Sequence, residues 1–391
     1  MRGLFIHDHF FYRENGLIYS CSGGLPNSVW QRYLISKNTS LIVYARETES
    51  TKKGIISSTS RVDFYLSKYY HSPINALSHY KEIKQELEDL LNNVDVVIIR
   101  LPSILGIIAA ELCRKCGKKY GLEIVGNAFD AYFFYGNLKG KFLGPIMHVL
   151  TRAIVAKSEY CLYVTQNYLQ KYYPAQKNSL CIACSDVDLS LDFLSLNIEQ
   201  RMYKIKNRKS DDFFVCGQIG NLNAYYKGYL VMFKAMAFLR EQGIIIKYKI
   251  AGAGSCGKLQ ELATKMGILE QVEFCGSLNR QEIISFLDSI DIYVHPSLLE
   301  GLPRSIIEAM SRACPCVASS VGGIPELLSQ SFLHTPRDYR KLARDILGLI
   351  KDTNKQIEQS MRNYEKSLEY NPLLLKEKRF NFYRELYGGY E

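Results

Sequence analysis

Nowhere in these 391 residues does an uninterrupted apolar run reach the roughly 20 residues that a membrane-spanning helix needs. The richest stretch, Val94 to Cys113, is broken by Arg100 and Pro102, which predicts strand, turn and helix in place of a span. The start of the chain lacks the apolar core of a secretory signal, since Met1 to Phe11 carries His7, Asp8 and His9. The protein is therefore expected to stay in the cytoplasm. There is no tandem short repeat and no low-complexity tract. Basic clusters and aromatic readout motifs are also missing, so 49 Lys and Arg against 39 Asp and Glu amount to a mild bias. No nucleic-acid partner is expected; a basic surface resting on anionic lipid is the more economical use of a net charge of +10. Eleven cysteines, an odd number without a signal, point to reduced thiols. Cys113/Cys116 and Cys181/Cys184 lie too far apart for a zinc ribbon and fall inside a predicted helix and strand, so they read as small buried hydrophobes and no metal is expected.

What is there is alternation, twice over. Strands are predicted at 2–6, 40–44, 94–99, 122–125, 161–164 and 180–183, with helices at 78–91 and 105–116 among them. A second series places strands at 213–216, 248–251, 272–275, 292–295 and 316–319, separated by helices at 229–241, 258–266, 281–289 and 304–313. Such alternation implies an α/β protein with parallel sheets covered by helices. The expected organisation is a first Rossmann-like lobe over 1–199, a Lys/Arg-rich linker over 200–212, and a second lobe over 213–370. A final helix, 371–391, would return to the first lobe.

The most informative stretch is Glu300-Gly-Leu-Pro-Arg-Ser-Ile-Ile-Glu308, two glutamates with seven residues between them. Pro303 suits the start of a helix, and Ile306, Ala309, Met310 and Ala313 fall on one face of it. Glu308 then points roughly opposite that face, while Glu300 sits on the turn beside the free N–H groups of the helix start. Two acceptor carboxylates flanking a set of donors suit a polyhydroxylated, phosphorylated ligand such as a nucleotide sugar. Arg304 and Arg312, four residues to either side, offer Glu308 a plain salt-bridge ladder as the alternative. Ligands of open parallel sheets sit beyond the carboxyl ends of the strands, which directs attention to the loops there. One is Gly217-Gln-Ile-Gly-Asn-Leu-Asn-Ala-Tyr-Tyr-Lys-Gly228, whose Lys227 could neutralise a departing pyrophosphate. Another is Ala251-Gly-Ala-Gly-Ser255, where Gly252 and Gly254 either admit a nucleotide or simply turn the chain. Asp186-Val-Asp188 reads as a loop or cap, and His7 and His9 as loop or packing residues.

From Phe213 to Leu328 the sequence resembles the donor-site signature of the retaining glycosyltransferase family 4, also called group 1 glycosyltransferases, which have the GT-B fold. The residues that carry the likeness are Pro296-Ser297, Glu300, Gly301, Pro303, Glu308, Ala309-Met310 and Val321-Gly-Gly-Ile-Pro-Glu326, with Lys227-Gly228 upstream. The N-terminal half is similar more loosely. The resemblance implies two Rossmann-like lobes with parallel sheets facing across a cleft. It assigns Glu308 to the ribose, Glu300 with the Gly301–Leu302 backbone to the donor sugar, and Lys227 to the diphosphate, with Gly217, Gly252 and Gly254 close to the donor. The family usually has an arginine where this chain has Gln218. In the first lobe, Gly23 and Gly24 match a glycine pair near the donor phosphates, and Asp130 is the candidate catalytic carboxylate, with a helix cap as its other reading. The segment Phe129 to Phe142, with Phe133, Phe134, Tyr135, Lys139 and Lys141, is either an acceptor- or membrane-touching surface or a packed aromatic helix. Similar bacterial enzymes build O-antigen, capsule or exopolysaccharide. The expected substrates are therefore a UDP- or GDP-sugar and a glycan or lipid-linked acceptor, with peripheral contact to the inner membrane and no cofactor. The rival readings are an epimerase or inverting transferase of the same fold, and a noncatalytic nucleotide-sugar-binding subunit.

Overall fold

A computed structural model describes the chain except for residues 22–23, 50–53, 134–137, 190–192, 194–197, 210–212 and 390–391. The chain separates into two compact units, Met1–Cys184 with Leu375–Glu391, and Ser185–Leu374.

The first unit holds β1 (Arg2–Glu14), β2 (Leu17–Ser20), β3 (Ser40–Glu47), β4 (Ile55–Ile56), β5 (Val62–Ser67), β6 (Val96–Leu101), β7 (Tyr120–Ile124), β8 (Tyr160–Tyr163) and β9 (Leu180–Ala183). Seven of these form a parallel array in the order β5-β3-β1-β6-β7-β8-β9. The far half of β1 continues into an antiparallel ribbon with β2, and β2 pairs β4. The sequence predicts the first strand only over 2–6 and no strand at β2, β4 or β5. His7, Asp8 and His9 look like loop residues, but each finds a partner inside the unit: His7 Nδ1 and the Arg100 carbonyl are 3.2 Å apart, His9 Nε2 and Ser20 Oγ 2.7 Å. Asp8 accepts from the backbone N–H groups of Ile104 and Leu105 at 2.7 and 3.1 Å, so it serves the start of the helix Ile104–Cys116.

The C-terminal helix, Pro372–Tyr387, closes the first unit with Leu375, Phe382, Tyr383, Leu386 and Tyr387 buried. It lies so close to the sheet that a Cβ on Gly3 would stand 2.2 Å from the Tyr387 hydroxyl, and one on Gly121 would stand 2.7 Å from Leu386. Tyr383 donates to the buried Glu123, which also accepts from Tyr33 and, at 2.8 Å, from Arg100.

In the second unit six parallel strands run in the order β12-β11-β10-β13-β14-β15: β10 (Phe214–Ile219), β11 (Ile246–Ala251), β12 (Val272–Gly276), β13 (Ile292–His295), β14 (Cys316–Ser319) and β15 (Leu333–His334). β13 and β14 are buried along their whole length, which is why their sequences do not alternate. The helices Tyr229–Glu241 and Tyr339–Lys351 share one core with Tyr248, Ile250, Ile292, Val294 and Val317. The strand order reverses between β10 and β13, the place where an open parallel sheet leaves a crevice at its carboxyl edge.

In the segment 200–212, which composition suggests is a polar linker, residues 200–206 belong to a helix. Ile198–Lys206 is a helix of the second unit, and Arg201 is buried in it. Its guanidinium donates to the carbonyls of Ile290 at 2.7 Å, Leu287 at 2.8 Å and Arg312 at 3.2 Å, satisfying acceptors left over where the helices Arg280–Ser289 and Arg304–Ser311 end. Lys204 adds an ion pair to Asp291 at 3.2 Å. The charge assigned to a linker serves as a helix-end cap, and the boundary between units lies at 184/185 where the sequence places it at about 199.

Candidate active site

At the carboxyl edge of β13 the buried residues His295 and Ser297 face the turn that carries Glu300. Glu300 Oε1 takes three donors at 2.7 Å: Lys227 Nζ, His295 Nε2 and Ser297 Oγ. Burial works to raise the Glu300 pKa, but the Lys227 ammonium and His295 outweigh it and hold the carboxylate down at about 2. Burial keeps His295 below its usual range, so at neutral pH the ring is uncharged. A neutral ring that donates Nε2–H to Glu300 must accept at Nδ1, where the Tyr293 hydroxyl lies 3.4 Å away. Tyr293 in turn accepts from the backbone N–H of Ile219 at 3.3 Å, tying the end of β10 to the end of β13. None of these bonds uses Glu300 Oε2.

Lys227 is positioned by backbone as much as by charge. Gly228 has φ +76°, and a Cβ there would stand 1.9 Å from the Pro296 carbonyl oxygen. Only glycine lets this loop lie so close against the β13 edge. Leu298 N–H donates to the Tyr226 carbonyl at 2.7 Å and secures the same contact. Gln218 is buried inside the unit, where its amide donates to the Lys227 carbonyl at 2.8 Å and its oxygen accepts from Tyr248. In place of the arginine expected from the resemblance, this chain has a neutral side chain that steadies the lysine loop from beneath.

The glycines of the loops nearby sort into two groups. Gly252 lies at φ +150° with a would-be Cβ 1.9 Å from the Gly220 carbonyl, and Gly254 lies at φ +121° against Asn223. Asn221 Oδ1 accepts from Asn223 N–H at 2.9 Å within the first loop, and Asn223 Oδ1 accepts from Ser255 N–H at 3.1 Å, tying that loop to the second. Gly217 differs from the expectation that it touches donor. It is buried within β10, where a Cβ would collide with Ile290 at 2.6 Å, so it is a packing glycine. On the far side of the turn, Gly322 at φ +58° lets the 321–323 loop lie against the Glu300 and Gly301 carbonyls, and Gly323 N–H donates to Gly301 at 2.6 Å. Leu302 is buried behind this contact.

Glu308 is half-buried on the helix Arg304–Ser311. Burial raises its pKa, opposed by the more distant charges of Arg304 and Arg280. The salt-bridge ladder is not formed: Arg312 is engaged with Asp288 at 2.9 and 2.7 Å, and among the described residues no basic group comes within 4 Å of the Glu308 carboxylate. Asp188 pairs with Arg280 at 2.9 Å, a loop contact.

Asp130 belongs to the first unit, in the short helix Ala128–Phe133 that follows β7. It is not the cap of that helix, because Asn127 Oδ1 accepts from Phe129 N–H at 3.0 Å in that role. Burial raises the Asp130 pKa, and the Tyr168 hydroxyl approaches it at 3.5 Å. Tyr173, buried, bridges the Asn127 side chain at 2.9 Å and His148 at 3.0 Å. Gly24 is exposed just after β2, on a loop anchored where Leu25 N–H donates to Ser20 Oγ at 3.3 Å, and Gly23 lies outside the described residues. So do Phe134 and Tyr135, while Phe129 and Phe133 stack on each other with ring centres 4.8 Å apart.

A family model described as glycosyl transferases group 1 matches residues 199–367, the part that holds Lys227, His295, Glu300 and Glu308. The protein CapJ of Staphylococcus aureus is 30% identical over 375 residues, 95% of this chain and 92% of CapJ. The chain belongs to the group 1 glycosyltransferases. The amylovoran biosynthesis glycosyltransferase AmsK of Erwinia amylovora is 35% identical over 133 residues, about a third of each chain. Among solved structures, sucrose-phosphate synthase from Thermosynechococcus elongatus superimposes with a TM-score of 0.74 at 13% identity, covering all of both chains. HepE of Anabaena, solved with UDP and glucose, gives 0.66 at 17% identity over 97% of this chain and 98% of HepE. At such identities the likeness speaks for the fold, which is GT-B. In this glycosyltransferase the residues that sequence reasoning passed over are Tyr293 and His295. A signal was available, since His295-Pro-Ser297 stands directly at the end of a predicted strand.

Proposed function

We propose that this glycosyltransferase moves a sugar, with retention of anomeric configuration, from a nucleoside-diphosphate sugar to a glycan or lipid-linked glycan in the synthesis of a bacterial surface polysaccharide. The observation that carries the reading is the Lys227–Glu300 pair at the switch point of the second sheet, with Glu308 one helix turn beyond. Lys227 would leave Glu300 to meet the diphosphate, adding positive charge where negative charge grows as the C1–O bond to phosphate breaks. Glu300 and the Gly301–Leu302 backbone would hold the donor sugar and Glu308 the ribose. The acceptor oxygen would attack C1 from the face the diphosphate leaves, passing its proton to the departing phosphate oxygen. A lysine in this role does without a metal ion, so turnover should persist in EDTA. AmsK is named for amylovoran biosynthesis, and WcaL of Escherichia coli, a relative 32% identical over 128 residues, for colanic acid, which favours a surface polysaccharide. HepE was solved with UDP and glucose, which puts UDP-sugars first among donors. The test is a panel of UDP-, GDP- and ADP-sugars followed by anomer analysis of product. Release of nucleotide with a retained anomer supports the proposal; an inverted product or an epimerised donor refutes it.

A further inference from the structure

The helix Leu138–Val155 has two unlike faces. Gly144, Met147, Thr151, Ile154 and Val155 are buried at helical spacing, and a Cβ on Gly144 would meet Phe133 at 3.1 Å, so this side packs onto the Asp130 helix. The opposite side is apolar as well, and it is bare: Phe142 is 76% exposed, Val149 63%, Ile146 54% and Leu150 40%. At about 100° per residue these fall on one outward stripe, extended by Pro145 and Ala153, also exposed. A patch of this kind on a surface helix marks a contact. The charge beside it names the partner. From Ala131 to Ser158 the sequence has four basic residues, Lys139, Lys141, Arg152 and Lys157, and no acidic one. Lys141, Arg152 and Lys157 are exposed, and none has a carboxylate partner among the described residues. Among the described residues no helix is long and apolar enough to cross a membrane, and a stripe on one side of a helix fits a surface it lies along.

We propose that the outward face of the helix Leu138–Val155 is an interfacial anchor for bilayers rich in anionic lipid, with Phe142, Ile146 and Val149 entering the headgroup boundary and the basic residues meeting the phosphates. This keeps Phe142 and Lys141 from the segment Phe129 to Phe142 named from the sequence and extends the contact along the helix that begins there. It rests on the reading that the acceptor is lipid-linked, and it sets the anchor beside Asp130, where such an acceptor would be presented.

The test is flotation of the full chain with vesicles of phosphatidylcholine and phosphatidylglycerol, against phosphatidylcholine alone. The parent should float with the anionic vesicles and lose binding in high salt. Each basic residue near such a surface contributes roughly fivefold in partitioning, so Lys141→Glu/Arg152→Glu/Lys157→Glu should weaken it by roughly a hundredfold or more. Ile146→Asp/Val149→Asp should abolish flotation while melting at the parent's temperature, because both positions are exposed. A parent that stays at the bottom of the gradient, or an aspartate variant that floats as well as the parent, overturns the proposal. So does a parent dimer that the aspartate pair turns to monomer, since the stripe is then a protein interface. Calorimetry with UDP-sugar on the same samples separates the two readings: nucleotide binding without flotation removes the anchor and leaves the function, and flotation without nucleotide binding does the reverse.

Discussion

Three donors converge on a single oxygen of Glu300, and that makes the site a place where one side chain can be exchanged for a ligand without leaving a buried charge stranded. If Lys227 turns to a diphosphate, His295 and Ser297 still hold the carboxylate. Lys227→Ala should therefore fold and should lower kcat more than it weakens donor binding; equal losses in kcat and affinity, measured by steady-state kinetics beside calorimetry, would reduce the lysine to a binding group. Glu308 presents the opposite case, a desolvated carboxylate with no cation within 4 Å among the described residues. Its raised pKa means that the folded state gains nothing from this charge at neutral pH. Glu308→Gln should melt at or above the parent temperature while weakening donor binding by roughly ten- to hundredfold, the worth of a hydrogen bond to a charged group. A lower melting temperature with unchanged affinity would restore the salt-bridge reading. Both glutamates were legible in the sequence because their spacing and the turn residues around them are local. Gln218 was not, since its role depends on Tyr248, thirty residues away on the neighbouring strand.

At the scale of elements, two glycines with the same backbone angle give a controlled comparison. Gly228 and Gly243 both have φ +76°, but a Cβ meets the Pro296 carbonyl at the first and nothing within 4 Å at the second. Gly243→Ala should cost about 1 kcal/mol, the left-handed strain alone. Gly228→Ala should lower the melting temperature further and weaken donor binding, because it drives the Lys227 loop off the β13 edge; equal effects of the two variants in a thermal melt would deny that contact any importance. β1 offers a second test. Burial, with Arg100 and Arg46 adding to it at His7 and with His7 and Arg46 adding to it at His9, holds each ring at about 3, well below 6.5. Between those values the unfolded chain binds protons that the folded chain refuses, so stability falls as pH drops from 6.5 toward 3. A His7→Gln/His9→Gln variant should lose less melting temperature than the parent between pH 6.5 and 4. The sequence did not reveal this strand's length, because polar residues at 7–9 mimic a loop until β2 and the Ile104 helix supply their partners. The strands it did reveal, β13 and β14 above all, are short buried runs with a proline next to them, Pro296 after the first and Pro315 before the second, where local pattern and tertiary burial agree.

For the whole molecule, the boundary between units was the least legible feature. Composition alone makes 200–212 a linker; only the open carbonyls at the ends of two helices, distant in sequence, explain why Arg201 is buried. The first unit is likewise built from both ends of the chain, since the helix Pro372–Tyr387 covers Gly3 and Gly121 and supplies Tyr383 to Glu123. During synthesis at the ribosome this has an order built into it. The contiguous second unit, Ser185–Leu374, has all its strands before the helix Pro372–Tyr387 is made, whereas the first must wait with Glu123 short of a donor and its sheet uncovered until that helix emerges. A chain cut before Pro372 would then yield a second unit already folded and a first unit that cannot close, and the cell's proteases would meet the open unit first.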